Sequence, residues 1–313
     1  MNTQQRTIYL GGFTLASAAA LLALHGCGGS DADEASRPAY IQSAFVMVGT
    51  KNEAIARVIT NYVPPVSGGA QAACPQISVD GNVSRMSLRV APSNPALRPT
   101  ASAPEDSKPS AFPVSVCEQT LPASAKDVSV AGQSLPLPKA DPQRIVVFGD
   151  SGCRLKKADN AWQACGDTAA WPFEKVANAA AAFSPDLVLH VGDYHYRENA
   201  CPPDVAGCKN SPWGYGWDTW QADLFKPAAK LLAKAPWIMV RGNHEECARA
   251  GQGWFRFLDP QPFSDARSCD LAANDATANY SDPYAVKLGS DSQVIVFDSA
   301  KNGKAALKPE DTQ

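Results

Sequence analysis

Ile145-Val146-Val147-Phe148-Gly149-Asp150-Ser151-Gly152 begins a pattern that returns twice. Leu187-Val188-Leu189 runs on to Gly192-Asp193-Tyr194-His195-Tyr196, and Trp237-Ile238-Met239-Val240 runs on to Gly242-Asn243-His244-Glu245. Each unit is a short apolar run without alternation, then glycine, then a side chain able to ligate a metal. Such runs suit strands buried on both faces under helices. A fourth run, Val294-Ile295-Val296-Phe297, reads the same way. Between the first two, Phe173, Val176, Ala177, Ala180 and Phe183 recur at helical spacing, and Ser184-Pro185 ends the helix. Between the second and third, Trp220, Leu224, Ala228, Leu231, Leu232 and Ala235 predict another helix, kinked at Pro227. Strands alternating with helices predict an α/β layer with parallel neighbours.

In such sheets ligands bind in the crevice beyond the carboxyl ends of the strands. Glycine at each exit lets the backbone turn and approach its neighbour closely. Asp150, Asp193 and Asn243 lie 43 and 50 residues apart in sequence, yet adjacent parallel strands would bring them together. Two carboxylates in one small pocket repel unless something compensates them. Cations do so, and hard oxygen ligands suit divalent or trivalent ions. The bland alternatives are helix caps for Asp150 and Asp193, and a structured turn for Asn243 and His244. Tyr196 has the alternative of a packed tyrosine. His195 and Tyr194 read as packing or pocket rim, and His190 as a core histidine. Arg154 reads either as a phosphate contact or as a solvated loop residue. Trp213-Gly214-Tyr215-Gly216-Trp217 reads as a loop that packs, with an aromatic substrate wall as the alternative.

These segments resemble the ordered strand-end motifs of the calcineurin-like metallophosphoesterases, and of these most the purple-acid-phosphatase branch, whose first three read G-D-x-G, G-D-x-x-Y and G-N-H-E. Most of the superfamily has a histidine two residues after the first aspartate; here that position is Gly152. The purple branch has instead a tyrosine three residues after the second aspartate; here that is Tyr196. The resemblance covers about residues 144–300 and implies a β-sandwich flanked by helices, of which this sequence holds the first half. It implies that Asp150 and Tyr196 bind a first metal, Asp193 bridges two metals, Asn243 binds the second, and His244 contacts the phosphate or protonates the leaving alkoxide. A phenolate favours a trivalent ion, so the implied pair is iron with zinc, manganese or a second iron. The implied activity is hydrolysis of a small phosphorylated substrate, a monoester first and a diester or nucleotide close behind.

The resemblance also implies later histidines, in a V-x-x-H-like strand end and a G-H-x-H motif. The four histidines here are at 25, 190, 195 and 244. The expectation is therefore a shortened form of a longer enzyme, with three metal ligands and the second sheet missing. The alternative is a noncatalytic binding lipoprotein on the same fold. With half the fold missing, one sheet face would expose apolar surface.

Residues 40–142 differ. Ala44–Val48, Ala56–Ile59, Val114–Val116 and Val128–Val130 are short apolar stretches between turns, and Arg85–Val90 alternates like a half-buried strand. Six prolines from Pro92 to Pro113 mark a long extended loop. The reading is a small β-rich domain over 40–142, followed by the phosphoesterase-like domain over 143–313.

Residues 1–27 read as an export signal. Arg6 precedes an uncharged, mostly apolar run of 17 residues from Ile8 to Leu24, which is short for a membrane span. Leu24-His25-Gly26-Cys27 resembles the bacterial lipobox, which makes Cys27 the lipidated first residue of the mature chain; an ordinary signal peptide cut near Gly26 is the alternative. Residues 28–39 read as a flexible tether. The expected location is periplasmic or cell-surface, on a lipid anchor in a bacterial membrane. The nine cysteines also favour an oxidising compartment. No C-x-x-C pair supports the zinc alternative. Without Cys27, eight remain, which allow 105 connectivities. Neighbours in sequence suggest Cys74–Cys117, Cys153–Cys165, Cys201–Cys208 and Cys247–Cys269. A net charge of −3 with no basic tract excludes a nucleic-acid backbone as partner.

Overall fold

Eight strands come before the first glycine-aspartate unit. They are β1 (Ile41–Val48), β2 (Ala54–Thr60), β3 (Gln76–Val79), β4 (Asn82–Arg85), β5 (Ser87–Val90), β6 (Ser115–Leu121), β7 (Val128–Val130) and β8 (Gln133–Ser134). Then follow β9 (Ile145–Phe148), the small hairpin β10 (Leu155–Lys156) and β11 (Ala161–Trp162), helix α1 (Phe173–Ala182) and β12 (Leu187–His190). Helix α2 (Trp217–Trp220), a π-helical segment Gln221–Phe225, and α3 (Ala229–Leu232) lead to β13 (Trp237–Met239). Helices α4 (Gly251–Phe257) and α5 (Asp275–Ala278) and the hairpin β14 (Tyr284–Lys287) and β15 (Gln293–Val296) end the order. The computed structural model describes residues 38, 40–64, 69–99 and 104–301. The expected export signal with Cys27, and the expected tether apart from Pro38, fall outside the described residues. No described helix is long and apolar enough to cross a membrane.

Seven strands form one sheet in the order β5-β6-β2-β1-β13-β12-β9. β9, β12, β13 and β1 run parallel, and β1, β2, β6 and β5 are antiparallel neighbours. The β-rich N-terminal region is thus divided between two sheets. β3, β4, β7 and β8 make a four-stranded sheet of their own, while β1, β2, β5 and β6 continue the sheet that carries β9, β12 and β13. The alternating stretch Arg85–Val90 is not one strand: β4 ends at Arg85, β5 begins at Ser87, and Met86 between them is fully buried. Arg85, at the end of β4, and Ser87–Val90 therefore pair in different sheets, a choice that periodicity cannot express. The helix expected around Pro227 is likewise broken into α2, the π-helical segment and α3, because proline supplies no N–H to continue the ladder.

Both faces of the central strands are covered. On one, Phe45, Met47, Val188, Trp237 and Met239 pack with Trp220, Phe225, Trp254 and Phe257. On the other, Val48, Leu187 and Ile238 pack with Val286 and Val296 of the hairpin β14–β15. Each such side chain, fully buried, contributes about 1.5–3 kcal/mol. The fourth apolar run therefore covers the sheet as β15, paired antiparallel with β14, and is not a parallel member of it. Among the described residues β9, like β5, is an edge of this sheet. Its Val146 and Phe148 face the core, but Ile145 and Val147 are 37% and 57% exposed on the other side.

Arg57 and Arg89 anchor the antiparallel strands to the end of α4. Arg57 Nη1 donates to the Phe257 and Asp259 carbonyls at 2.9 and 3.0 Å, and both guanidinium groups bond Glu118 Oε2, at 2.8 and 2.9 Å. Burial, with Arg89 beside it, lowers the Arg57 pKa to about 9. Four disulfides join consecutive cysteines: Cys74–Cys117, Cys153–Cys165, Cys201–Cys208 and Cys247–Cys269. Such bonds persist in oxidising compartments, as in an exported protein.

Candidate functional site

Register brings the three strand exits level. Phe148 lies opposite His190, and His190 opposite Met239. The three glycine-containing tails therefore leave the sheet on one edge, and they interlock at once. Asp150 N donates to Gly192 O at 3.1 Å and Ser151 N to Asp193 O at 3.0 Å. Asp150 and Asp193 both take the left-handed conformation, with φ of 50° and 59°. Aspartate tolerates that region better than most residues, and such strain gathers at functional sites. The second and third tails touch backbone to backbone. A Cβ on Gly192 would lie 2.6 Å from Gly242 Cα, and one on Gly242 would run into the Asp193 carboxylate.

The side chains then meet. Tyr196 Oη lies 2.6 Å from Asp150 Oδ1, to which it donates, and 3.0 Å from Asp193 Oδ2. The carboxamide of Asn243 reaches within 3.2 Å of Asp193 Oδ2 and 3.1 Å of Arg249 Nη1. Its nitrogen is best placed toward the carboxylate and its oxygen toward Arg249; a bound cation would turn the oxygen inward. Asp150 and Asn243 are exposed, Asp193 is half-buried and Tyr196 buried, so the cluster opens to solvent. Burial pushes the Asp193 carboxyl above its ordinary range, and the charge of Asp150 adds to this. Burial and the bond to Asp150 push the Tyr196 phenol up.

His244 N donates to Asp193 Oδ1 at 2.9 Å, and its ring packs 3.9 Å from the Tyr196 ring. Nδ1 lies 3.1 Å from the His195 carbonyl and 3.3 Å from Glu198 Oε1. A carbonyl only accepts, so Nδ1 carries the proton and Nε2 the lone pair. Burial lowers the His244 pKa to about 4, against the opposing charge of Glu198.

Glu245 lies beneath the cluster with no exposure. Its carboxylate accepts four backbone N–H groups: Asp193 at 2.9 Å, Tyr194 at 2.9 Å, His195 at 3.2 Å and Gly242 at 3.1 Å. Burial, then the charge of Asp193, pushes its pKa up to about 8. Sequence reading quoted Glu245 within its motif without giving it a task, and passed over Glu198, Asp223 and Arg249. Glu245 had a signal, a carboxylate within the third tail, and Glu198 follows Tyr196 by two residues; Asp223 and Arg249 had none, since folding brings them near.

The remaining candidates pack. His190 is fully buried, its Nδ1 accepting from Gly192 N at 3.2 Å and its Nε2 2.8 Å from Ser151 Oγ; burial lowers its pKa to about 3. Tyr194 stacks on it at 3.7 Å, and His195 is fully buried beside Tyr215 and Trp220. Arg154 pairs with Asp159, its guanidinium 6.0 Å from the Tyr196 ring centre. Tyr215 and Trp217 are buried, so their loop packs inward.

Among the described residues no three His, Cys, Asp or Glu side chains gather as a metal cluster. The donors that do converge are two carboxylates, a phenol and a carboxamide, all oxygen. That set fits a hard cation, which would also neutralise the paired carboxylates and favour the phenolate.

A family model, calcineurin-like phosphoesterase, matches residues 143–298. Among solved structures, the chain is similar to the purple acid phosphatase PPD1 isolated from yellow lupin (Lupinus luteus) seeds, at 16% identity and a TM-score of 0.35, over 65% of this chain and 35% of that one. It is also similar to PhoD, at 14% identity and a TM-score of 0.29, over 66% of this chain and 40% of that one. It thus spans well under half the length of either. No curated protein matches it.

Proposed function

Since residues 143–298 of this chain belong to the calcineurin-like phosphoesterase family, we propose that it serves metal-dependent hydrolysis of phosphate esters at the cluster of Asp150, Asp193, Tyr196 and Asn243. The observation that supports this most is the convergence of four oxygen-bearing side chains from three level strand exits, within 2.6–3.2 Å of one another along the chain of contacts. Asp150 and Tyr196 would hold one metal, Asp193 would bridge, and Asn243 would hold a second, with iron paired to zinc, manganese or iron. Such metals acidify a bound water and stabilise charge developing on phosphorus.

The protein's own groups do the rest. Glu245 holds the second and third tails at fixed separation through backbone bonds. Asp193 Oδ1 accepts from His244 N, which ties the bridging carboxylate to the tail carrying Asn243. His244, its Nδ1 proton directed at the His195 carbonyl, would take a second proton at Nε2 before donating to the phosphate or protonating the leaving oxygen. The substrate class we favour is a small phosphate monoester, with diesters next. Export and a lipid anchor at Cys27 belong to the same proposal, supported by the sequence before residue 28 and by four disulfides.

A second reading, a noncatalytic metal-holding chain, has one observation in its favour: every histidine lies at or before residue 244, so nitrogen donors near the cluster are few. Metal-loaded protein assayed with an aryl phosphate monoester and the matching diester separates the two. Turnover that disappears in Asp193→Asn together with metal retention is the expected result. Metal retention without turnover selects the second reading. Turnover intact in Asp193→Asn overturns the bridging assignment.

A further inference from the structure

A second buried carboxylate, outside all three motifs, ties the first ligand tail to the second. Asp223 lies on the π-helical segment Gln221–Phe225, and such segments often mark functional sites. Its side chain is 1% exposed. Oδ1 accepts from Cys153 N at 3.1 Å and from Arg197 Nε at 2.5 Å, and Oδ2 accepts from Tyr196 N at 3.1 Å. Cys153 follows Asp150 by three residues; Tyr196 is itself one of the converging side chains. Beyond the direct backbone bonds Asp150 N–Gly192 O and Ser151 N–Asp193 O, one carboxylate therefore fixes the spacing between the two backbones at Cys153 and Tyr196.

Gly152 shows how close that spacing is. A Cβ there would lie 2.7 Å from Tyr196 N, 2.8 Å from Tyr194 O and 2.9 Å from Asp223 Oδ2. No side chain fits at position 152 while Asp223 holds the Tyr196 amide. Tyr196 Oη can reach Asp150 Oδ1 at 2.6 Å because the two tails are drawn together at this point. The geometry points to Asp223 as a positioning residue for the cluster: it sets the Asp150–Tyr196 pair, with Gly152 as the space that lets it do so. The inference rests on the metal-holding reading of that pair for its consequence, but not for its geometry.

Two readouts on the full chain test it. In metal-free protein, hydrogen exchange at the Cys153 and Tyr196 amides should quicken by roughly tenfold or more in Asp223→Asn, as expected for loss of a bond to a charged acceptor. The Gly242 amide, held by Glu245, should not change. In calorimetric titration with Zn²⁺ alone, Asp223→Asn should bind roughly 10–100-fold more weakly. Gly152→Ala keeps every charge and should weaken Zn²⁺ binding in the same way, which preserves the test if Asp223→Asn fails to fold. Val128→Ala, a core truncation in the four-stranded sheet, supplies a remote loss of stability. Unchanged exchange at both amides in Asp223→Asn overturns the proposal. So does Zn²⁺ binding that weakens equally in Val128→Ala. Wild-type protein that binds Zn²⁺ no better than Asp150→Asn overturns the metal reading beneath it, and the exchange data still decide whether Asp223 positions the tails.

Discussion

Replacing Glu245 by glutamine removes one oxygen and leaves the shape intact. The carboxylate accepts four backbone N–H groups from two tails, at 2.9–3.2 Å. A glutamine carbonyl keeps two of them and turns an NH₂ group against the other two. Above about pH 8, where Glu245 is charged, each bond to it contributes about 1.5–3 kcal/mol, so about 3–6 kcal/mol is lost in a measurement made there. Relief from burying a charge offsets part, leaving a net destabilisation of about 2–4 kcal/mol. In urea, with m near 3 kcal/mol/M, the midpoint should fall by about 1 M at unchanged m. Zn²⁺ affinity should fall too, because Asp193 and Gly242 lose their shared anchor. A midpoint within about 0.2 M of wild type would refute the reasoning: the four N–H groups would then find partners without the carboxylate.

Three further outcomes are expected. Removing Cys74–Cys117, which joins residues 43 apart, should cost about 4 kcal/mol by chain entropy, measured as a lowered urea midpoint in the paired alanine variant. His190, its pKa lowered by burial to about 3 from 6.5, binds its proton more readily in the unfolded chain. Its contribution is therefore complete above about pH 6.5 and is lost as pH falls toward 3, at about 1.4 kcal/mol per unit, and His190→Gln should flatten urea midpoints measured across that range. Val147→Lys puts a charge on the exposed face of the edge strand β9; apolar dye binding and aggregation should fall while stability stays within about 0.5 kcal/mol.

Much of the candidate cluster was legible before folding. Three apolar runs ending in glycine and an oxygen-bearing side chain identify strands and the end of the sheet at which they stop, because local chemistry dictates those features; the expected burial on both faces fails for β9, whose Ile145 and Val147 are exposed. The Gly152 and Tyr196 pair was legible as a loss and a gain, though the reason for the glycine was not: it lies in the space filled by the Tyr196 amide and Asp223, a residue that follows 71 positions after Gly152. Helix breakage at Pro227 was legible in kind but not in extent.

What tertiary structure decided was partnership. Apolar character in Val294–Phe297 marks a strand, but only packing against Val48, Leu187 and Ile238 makes it a cover for the sheet. Arg85–Val90 alternates cleanly, yet Arg85 and Ser87–Val90 pair in different sheets. Glu245 and Asp223 are ordinary acidic residues in the sequence. They become anchors because several backbone N–H groups, deprived of water, need a buried acceptor, and which donors those are depends on how distant segments close upon one another.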